Sequence, residues 1–150
     1  MKKTTGEPAN GQLPTANRQP KPKRRQRFLP GAIGTTGGAM AINTILKNVF
    51  QRQRPQELAR RIKLPASHSF PSGHSLLSAA TYPIVAHHLV QHRSVAAQGA
   101  VHTLAAAAIL TVGFSRVYFG VHFPSDVFGG FAAGFGWLGL TALSHTVIES

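Results

Sequence analysis

The stretch SVAAQGAVHTLAAAAILTVGFSRVYFGVHFPSD, residues 94–126, decides how the rest of the chain is read. Its first 22 residues, Ser94 to Ser115, carry no charged side chain, and then Arg116, His122 and Asp126 arrive in quick succession. A helix that crosses a bilayer needs about 20 predominantly apolar residues, so the charge-free run is long enough to be one. Asp126 is the only aspartate in the sequence. Burying an arginine, a histidine and a carboxylate is costly unless they pair, so an apolar segment that holds all three asks for a joint purpose.

Three further runs lack charge: Gly31 to Leu46 (16 residues), Ser72 to Val90 (19) and Val127 to Ile148 (22). By length, the runs from Ser94 and Val127 fit a membrane well and the first is short. Gly34 and Gly38, and again Gly130 and Gly134, have the four-residue spacing that lets helix backbones approach closely in lipid. Histidines within the runs and a mean hydropathy near zero argue instead for the buried helices of a soluble bundle. The lengths and the small residues favour membrane spans. Pro55 and Pro65 break the chain after the first run, whereas Pro71-Ser72 and Pro124-Ser125-Asp126 read as helix starts, the second with a carboxylate in its first turn. Pro83 predicts a kink. Strand signals are weak, so the expected class is all-α, an up-and-down bundle of about four helices.

The chain has 150 residues, room for one domain with a modest core. Sixteen Lys and Arg face four acids, and eight of these basic residues lie in the first thirty positions among five prolines. Residues 1–30 are therefore expected to form a disordered basic, Pro-rich arm, and 31–150 the helical domain. TTGEPANGQLP is not the apolar core of a signal peptide. The arm's charge suits anionic lipid headgroups or nucleic acid, with a plain solvated tail as the equal alternative. Without cysteine there is neither a disulfide framework nor a thiolate.

In an up-and-down bundle the end of the first helix, the start of the second, the end of the third and the start of the fourth share one face. The unusual polar residues sit at those places: Lys47, Arg52 and Arg54; Ser72, Gly73 and His74; Ser115 and Arg116; His122 to Asp126. Cations crowd together cheaply only around an anion, and guanidinium forks, an ammonium and a helix N-terminus all suit phosphate. A neutral imidazole attacks phosphorus, with a carboxylate on its other nitrogen to fix the tautomer. That makes His122 the expected nucleophile, Asp126 its orienting carboxylate and His74 the general acid.

The segments KNVFQRQRP (47–55), PSGH (71–74) and SRVYFGVHFPSD (115–126) resemble, in order and spacing, the three signature motifs of the type 2 phosphatidic acid phosphatase superfamily, which includes bacterial class A acid phosphatases and vanadium haloperoxidases. The resemblance covers about residues 31–148. It implies a metal-independent phosphatase that forms a phosphohistidine on His122, with Lys47, Arg54 and Arg116 as the phosphate clamp, joined by Ser72 and the Gly73 amide. Arg52 is not a signature position and is left as a headgroup contact. Membrane members of the family usually have six spans, and here the arm stands where two would precede the first motif. A compact member, a homodimer that covers the exposed face, and a shortened chain that folds poorly are the three expectations that follow.

Taken singly, Arg116 and Asp126 read as an ion pair at a helix end and Ser72 as an N-cap; taken together the motifs favour catalysis. His68, His87, His88, His92, His102 and His145 fit no motif, and His87, His88 and His92 lack the carboxylate that would make them a metal site. No metal, cofactor or nucleic-acid partner is expected. With helices in lipid, the substrate class is an amphiphile with its phosphate at headgroup level: undecaprenyl pyrophosphate, phosphatidic acid or phosphatidylglycerol phosphate. Arg60, Arg61 and Lys63 would attract such a head or anchor the surface. Nine basic residues on the arm's side against seven on the pocket's place the arm in the cytoplasm and the pocket outside a bacterial inner membrane. The alternatives are a haloperoxidase that holds vanadate, and a non-catalytic basic membrane protein that binds anionic lipid or nucleic acid.

Overall fold

The computed structural model describes residues 24–55 and 67–149. Among them are four α-helices and no strand: α1 (Arg24–Phe50), α2 (Gly73–Val90), α3 (Val95–Tyr118) and α4 (Pro124–Glu149). The expected class and helix count hold. Residues 1–23 of the expected arm lie outside the described residues, but its last part is helical, since α1 begins at Arg24 and runs through Pro30. Composition suggested a tail there. Arg and Gln are good helix formers, however, and a proline inside a helix removes one backbone bond without removing the propensity of its neighbours. Likewise α2 continues through Pro83.

Helix starts follow local chemistry. Ser94 caps α3 by accepting from Ala97 N–H at 3.4 Å. At α4 the cap is reversed: Asp126, in the first turn, accepts the Phe123 N–H at 2.9 Å, one half of a capping box. Ser72 occupies the N-cap position of α2 without a side-chain cap bond, and its hydroxyl accepts instead from Ser75 Oγ at 3.0 Å.

α2 is the axis of the bundle: it touches α1, α3 and α4, whereas α1 and α3 do not meet. The core joining α1, α2 and α4 is small, built on Ala39, Leu76 and Ala80 with Trp137 and Ile42 packed against it. Trp137 donates its indole N–H to the Thr35 carbonyl at 2.8 Å, tying α4 to α1. The buried class is rich in Ala and Ser, including Ser69, Ser72, Ser75 and Ser78, while Leu104, Leu110, Phe114, Leu140 and Leu143 are exposed. Such a pattern is inverted relative to a water-soluble core and suits helices solvated by lipid. Among the described residues two helices, Val95–Tyr118 and Pro124–Ser144, are long and apolar enough to cross a membrane, and both are mostly unburied, unlike the core helix of a soluble protein.

The α2–α4 contact depends on glycine. A Cβ on Gly130 would stand 2.7 Å from the Ser72 carbonyl oxygen, and one on Gly134 would stand 2.4 Å from that of Leu76. Close approach at these two positions was legible in their spacing. The matching expectation for α1 is only half met: Gly38 lies under the Trp137 ring, but Gly34 has nothing within 4 Å of its virtual Cβ. Spacing alone does not say what faces a helix.

Gly134→Ala must push α2 and α4 apart, because the obstructing atom is backbone and cannot rotate away. A loss of about 1–3 kcal/mol is expected, the usual range for overpacking. Gly136→Ala, with open space around the added methyl, is tolerated. Thermal unfolding of the two purified variants in one detergent checks this: equal midpoints would show that the α2–α4 approach is not tight.

Candidate functional site

The site lies where the four helices change direction, at one end of the bundle. α1 stops because Gln51 takes a left-handed φ of 44°, with its N–H on the Lys47 carbonyl at 3.0 Å. That turn carries Arg52 and Arg54 back across the bundle end instead of onward along a helix. Between α3 and α4, Gly120 adopts φ 61° and donates its N–H to the Val117 carbonyl at 2.8 Å; glycine enters this conformation without steric cost. Val121 N–H then returns to the Arg116 carbonyl at 3.2 Å, which places His122 just past the turn. Ser72 N–H donates to the Asp126 carbonyl at 2.9 Å, joining the α2 start to the first turn of α4.

Asp126 is completely buried and His122 is 5% exposed. The carboxylate is gripped from several directions. Oδ2 accepts the Ser69 hydroxyl and, at 2.9 Å, the Phe123 N–H. Oδ1 accepts Arg52 Nη1 at 2.9 Å. His122 Nδ1 lies 3.5 Å from Oδ2. On the far side of the ring, Arg54 Nη1 is 3.2 Å from Nε2. A guanidinium only donates, so Nε2 presents its lone pair to Arg54, and the ring proton belongs on Nδ1, facing the acceptor carboxylate. His122 thus shows its basic nitrogen to the cations.

Burial, reinforced by the charge of Arg54, pushes the His122 pKa down to about 4 against the smaller upward pull of Asp126. The imidazole is therefore neutral at physiological pH. Arg54 itself is spread over several acceptors: the Ser67 carbonyl at 3.0 Å, the Ser67 hydroxyl at 3.2 Å and the Val121 carbonyl at 2.9 Å. Lys47 donates its ammonium to the His68 carbonyl, and its charge reaches His122. Partial burial, reinforced by the charges of Arg116 and Arg54, pushes the His74 pKa below its usual value at the start of α2, and Arg116 Nε donates to Ser115 Oγ at 3.1 Å. Gly73 lies against Asn43 of α1, whose buried carbonyl oxygen has no partner.

The residues singled out in the sequence therefore meet at one end: Lys47, Arg54, Ser72, Gly73, His74, Arg116, His122 and Asp126. Arg52 departs from its expected place. Its side chain turns inward to Asp126 and to Ser125 Oγ, at 2.7 Å, where a headgroup contact was expected. Ser69 was not foreseen; no motif spacing marks it, and its only sequence signal is a serine ahead of PSGH. Arg60, Arg61, Lys63 and His145 cannot be placed, because residues 56–66 and the side chain of 145 lie outside the described residues. The ring pair His87 and His102, 6.4 Å between centroids, belongs to α2 and α3, and no group of three metal-ligating side chains occurs among the described residues.

The PAP2 superfamily model matches residues 29–148. Phosphatidylglycerophosphatase B of Bacillus subtilis is 42% identical over 95 residues, covering 62% of this chain and 46% of that protein. Decaprenylphosphoryl-5-phosphoribose phosphatase of Mycobacterium tuberculosis is 31% identical over 115 residues, covering 75% and 58%. This chain thus spans about half the length of the curated relatives it matches. Among solved structures, the transmembrane PAP2-type phosphatidylglycerolphosphate phosphatase of Bacillus subtilis superposes with a TM-score of 0.74 at 33% identity, covering 83% of this chain and 62% of that one. LpxE of Aquifex aeolicus gives 0.56 at 26% identity, covering 79% and 69%. Sequence motifs, helix arrangement and the clustered side chains lead to one conclusion: the chain belongs to the PAP2 superfamily.

Proposed function

We propose that this chain is a metal-independent lipid phosphatase that works through a phosphohistidine on His122. The observation that carries the reading is the His122 ring itself, neutral, with its lone pair on Nε2 beside Arg54 and its Nδ1 beside the buried Asp126. Phosphate bound among Lys47, Arg54, Arg116 and the α2 N-terminus would sit in front of that lone pair. Nε2 bonds to phosphorus as the bond to the leaving oxygen breaks, and His74 supplies the proton that oxygen needs. Asp126 balances the charge that develops on the imidazole. Water then attacks the phosphohistidine, giving its proton to His74 and releasing phosphate and neutral His122.

Metal independence follows from the donor set. Positive side chains take the place of divalent ions around the phosphate, and Asp126, the only aspartate in the sequence, is committed to Arg52, Ser69 and Phe123. The substrate class follows from the setting: a site at the end of helices suited to lipid receives an amphiphile at the headgroup level. The named relatives act on phosphatidylglycerophosphate and on a decaprenylphosphoryl sugar phosphate, so these join undecaprenyl pyrophosphate and phosphatidic acid as candidates. The proposal includes a multi-pass protein of the bacterial inner membrane with the site facing outward.

Phosphate release by the purified chain, measured against that panel and a soluble ester, is expected to persist in EDTA and to be blocked by vanadate; loss on chelation counts against the scheme. His122→Ala abolishes release and the covalent intermediate. His74→Ala lowers turnover by about 10²- to 10⁴-fold, the range for a general acid, with binding retained. Normal turnover in His122→Ala would sink the mechanism.

The neutral nucleophile has a further consequence. In the unfolded chain His122 titrates near 6.5, and in the folded chain near 4. Below 6.5 the unfolded state takes up the proton first, so this residue lowers stability as the pH falls from about 6.5 to about 4. Denaturant melts across that window are expected to lose stability more steeply for the wild type than for His122→Asn. Parallel curves would mean that the imidazole is not held neutral.

A further inference from the structure

Arg52 places its guanidinium on the carboxylate side of His122, whereas Arg54 meets the ring at Nε2. Arg52 Nη1 donates to Asp126 Oδ1 at 2.9 Å and to Ser125 Oγ at 2.7 Å, and its guanidinium carbon lies 4.3 Å from the centroid of the Phe123 ring. Its backbone carbonyl accepts the Ser69 N–H at 2.7 Å, and the Ser69 hydroxyl donates to Asp126 Oδ2. We infer that Arg52 is a positioning residue: acting through Asp126, it fixes the orientation of the His122 ring without touching the substrate. The inference rests on the reading of His122 as the nucleophile.

A carboxylate turns easily about its last bond, because that torsion is broad and roughly two-fold. With Oδ1 held by Arg52 and Oδ2 held by Ser69 and Phe123, the plane of the Asp126 carboxylate is set, and Oδ2 stays turned toward Nδ1. The 3.5 Å separation is long for a hydrogen bond and is of the kind that tightens once the imidazole bears positive charge in the phosphorylated state. Releasing Oδ1 lets the acceptor swing away and the ring with it.

The charges that act on the pair come from α1 and the segment after it: Lys47 and Arg54 act on His122, and Arg52 is bonded to Asp126. His74 of α2 feels Arg54 and Arg116 of α3 instead, and Asp126 is the only acid among the described residues at this end. Removing Arg52 leaves the Asp126 charge less offset and strengthens its pull on a protonated His122. His122 should then titrate at higher pH. A headgroup contact would instead change substrate affinity and leave this titration alone.

The test uses the full chain with Arg52→Gln and Arg52→Lys, Arg93→Gln as a control for lost charge on the loop at the opposite end, and His122→Ala as the marker for the nucleophile. Steady-state phosphate release gives kcat and KM, and nitrogen NMR of the imidazole gives the His122 titration. Arg52→Gln is expected to lower kcat about 10-fold or more, the usual scale for a residue that orients a reacting group through another, with KM changed less than about 2-fold. Its His122 titration moves upward. Arg52→Lys keeps the charge but not the planar fork, and falls between wild type and Arg52→Gln on both measures. A folded Arg52→Gln with wild-type kcat and an unmoved titration overturns the inference, and so does a raised KM at unchanged kcat. If Arg52→Gln does not fold, wild-type values on both measures in Arg52→Lys overturn it. Normal activity in His122→Ala would instead remove the nucleophile assignment, a failure of the underlying reading and recognisable as such.

Discussion

A fully buried carboxylate is the constraint on which this end of the molecule depends. Taking a charged carboxyl out of water costs several kcal/mol unless donors replace the lost hydration. Asp126 finds its donors in three separate places: the segment after α1, the segment before α2 and the backbone just ahead of its own helix, with His122 Nδ1 a further 3.5 Å away. Its own carbonyl accepts the Ser72 N–H. Satisfying one side chain therefore fixes the end of α1, the start of α2 and the start of α4 together. The chemistry assigned to His122 is a by-product of that satisfaction.

The rest of the bundle obeys a different solvent rule. Many large apolar side chains lie on the outside, a pattern suited to lipid, and the interior is dominated by alanine, serine and glycine beside Leu76, Val90, Ile109 and Val127. Small residues bring α2 and α4 close enough that two α4 glycines touch the α2 backbone. Close helices cannot splay at their ends without breaking that contact. Gly130 meets Ser72 one turn beyond Asp126, so this contact also holds the polar end of the bundle, where a displacement of an ångström would matter to the proposed chemistry.

How much of this could be read beforehand depended on what each residue answers to. The helices were legible because absence of charge over a long run is a one-dimensional property. So were Lys47, Arg54, His74, Arg116 and His122, since up-and-down topology brings those helix ends together whatever the packing. Ser69 and the true place of Arg52 were not legible, because each is defined by a partner more than fifty positions away in sequence. Gly34 shows the same limit: its spacing matches that of Gly130 and Gly134, but a spacing carries no information about what lies opposite. The start of α1 failed for another reason. Proline-rich composition is an average over thirty positions, and a helix needs only its own residues to agree.

The placement of the two arginines comes down to one backbone angle. In a helix, residues two apart point about 200° from each other, so Arg52 and Arg54 on a continued α1 would face nearly opposite ways. Gln51 leaves the helix at φ 44°, and beyond it exposure alternates: Arg52 and Arg54 are half-buried while Gln53 is exposed. An alternating repeat sets residues two apart on one side. Both guanidinium groups therefore meet the α3–α4 turn, one reaching the carboxylate behind His122 and the other the nitrogen in front of it. A single left-handed residue converts a helical repeat into one that brackets an imidazole, and the division of labour between the two arginines follows from that geometry.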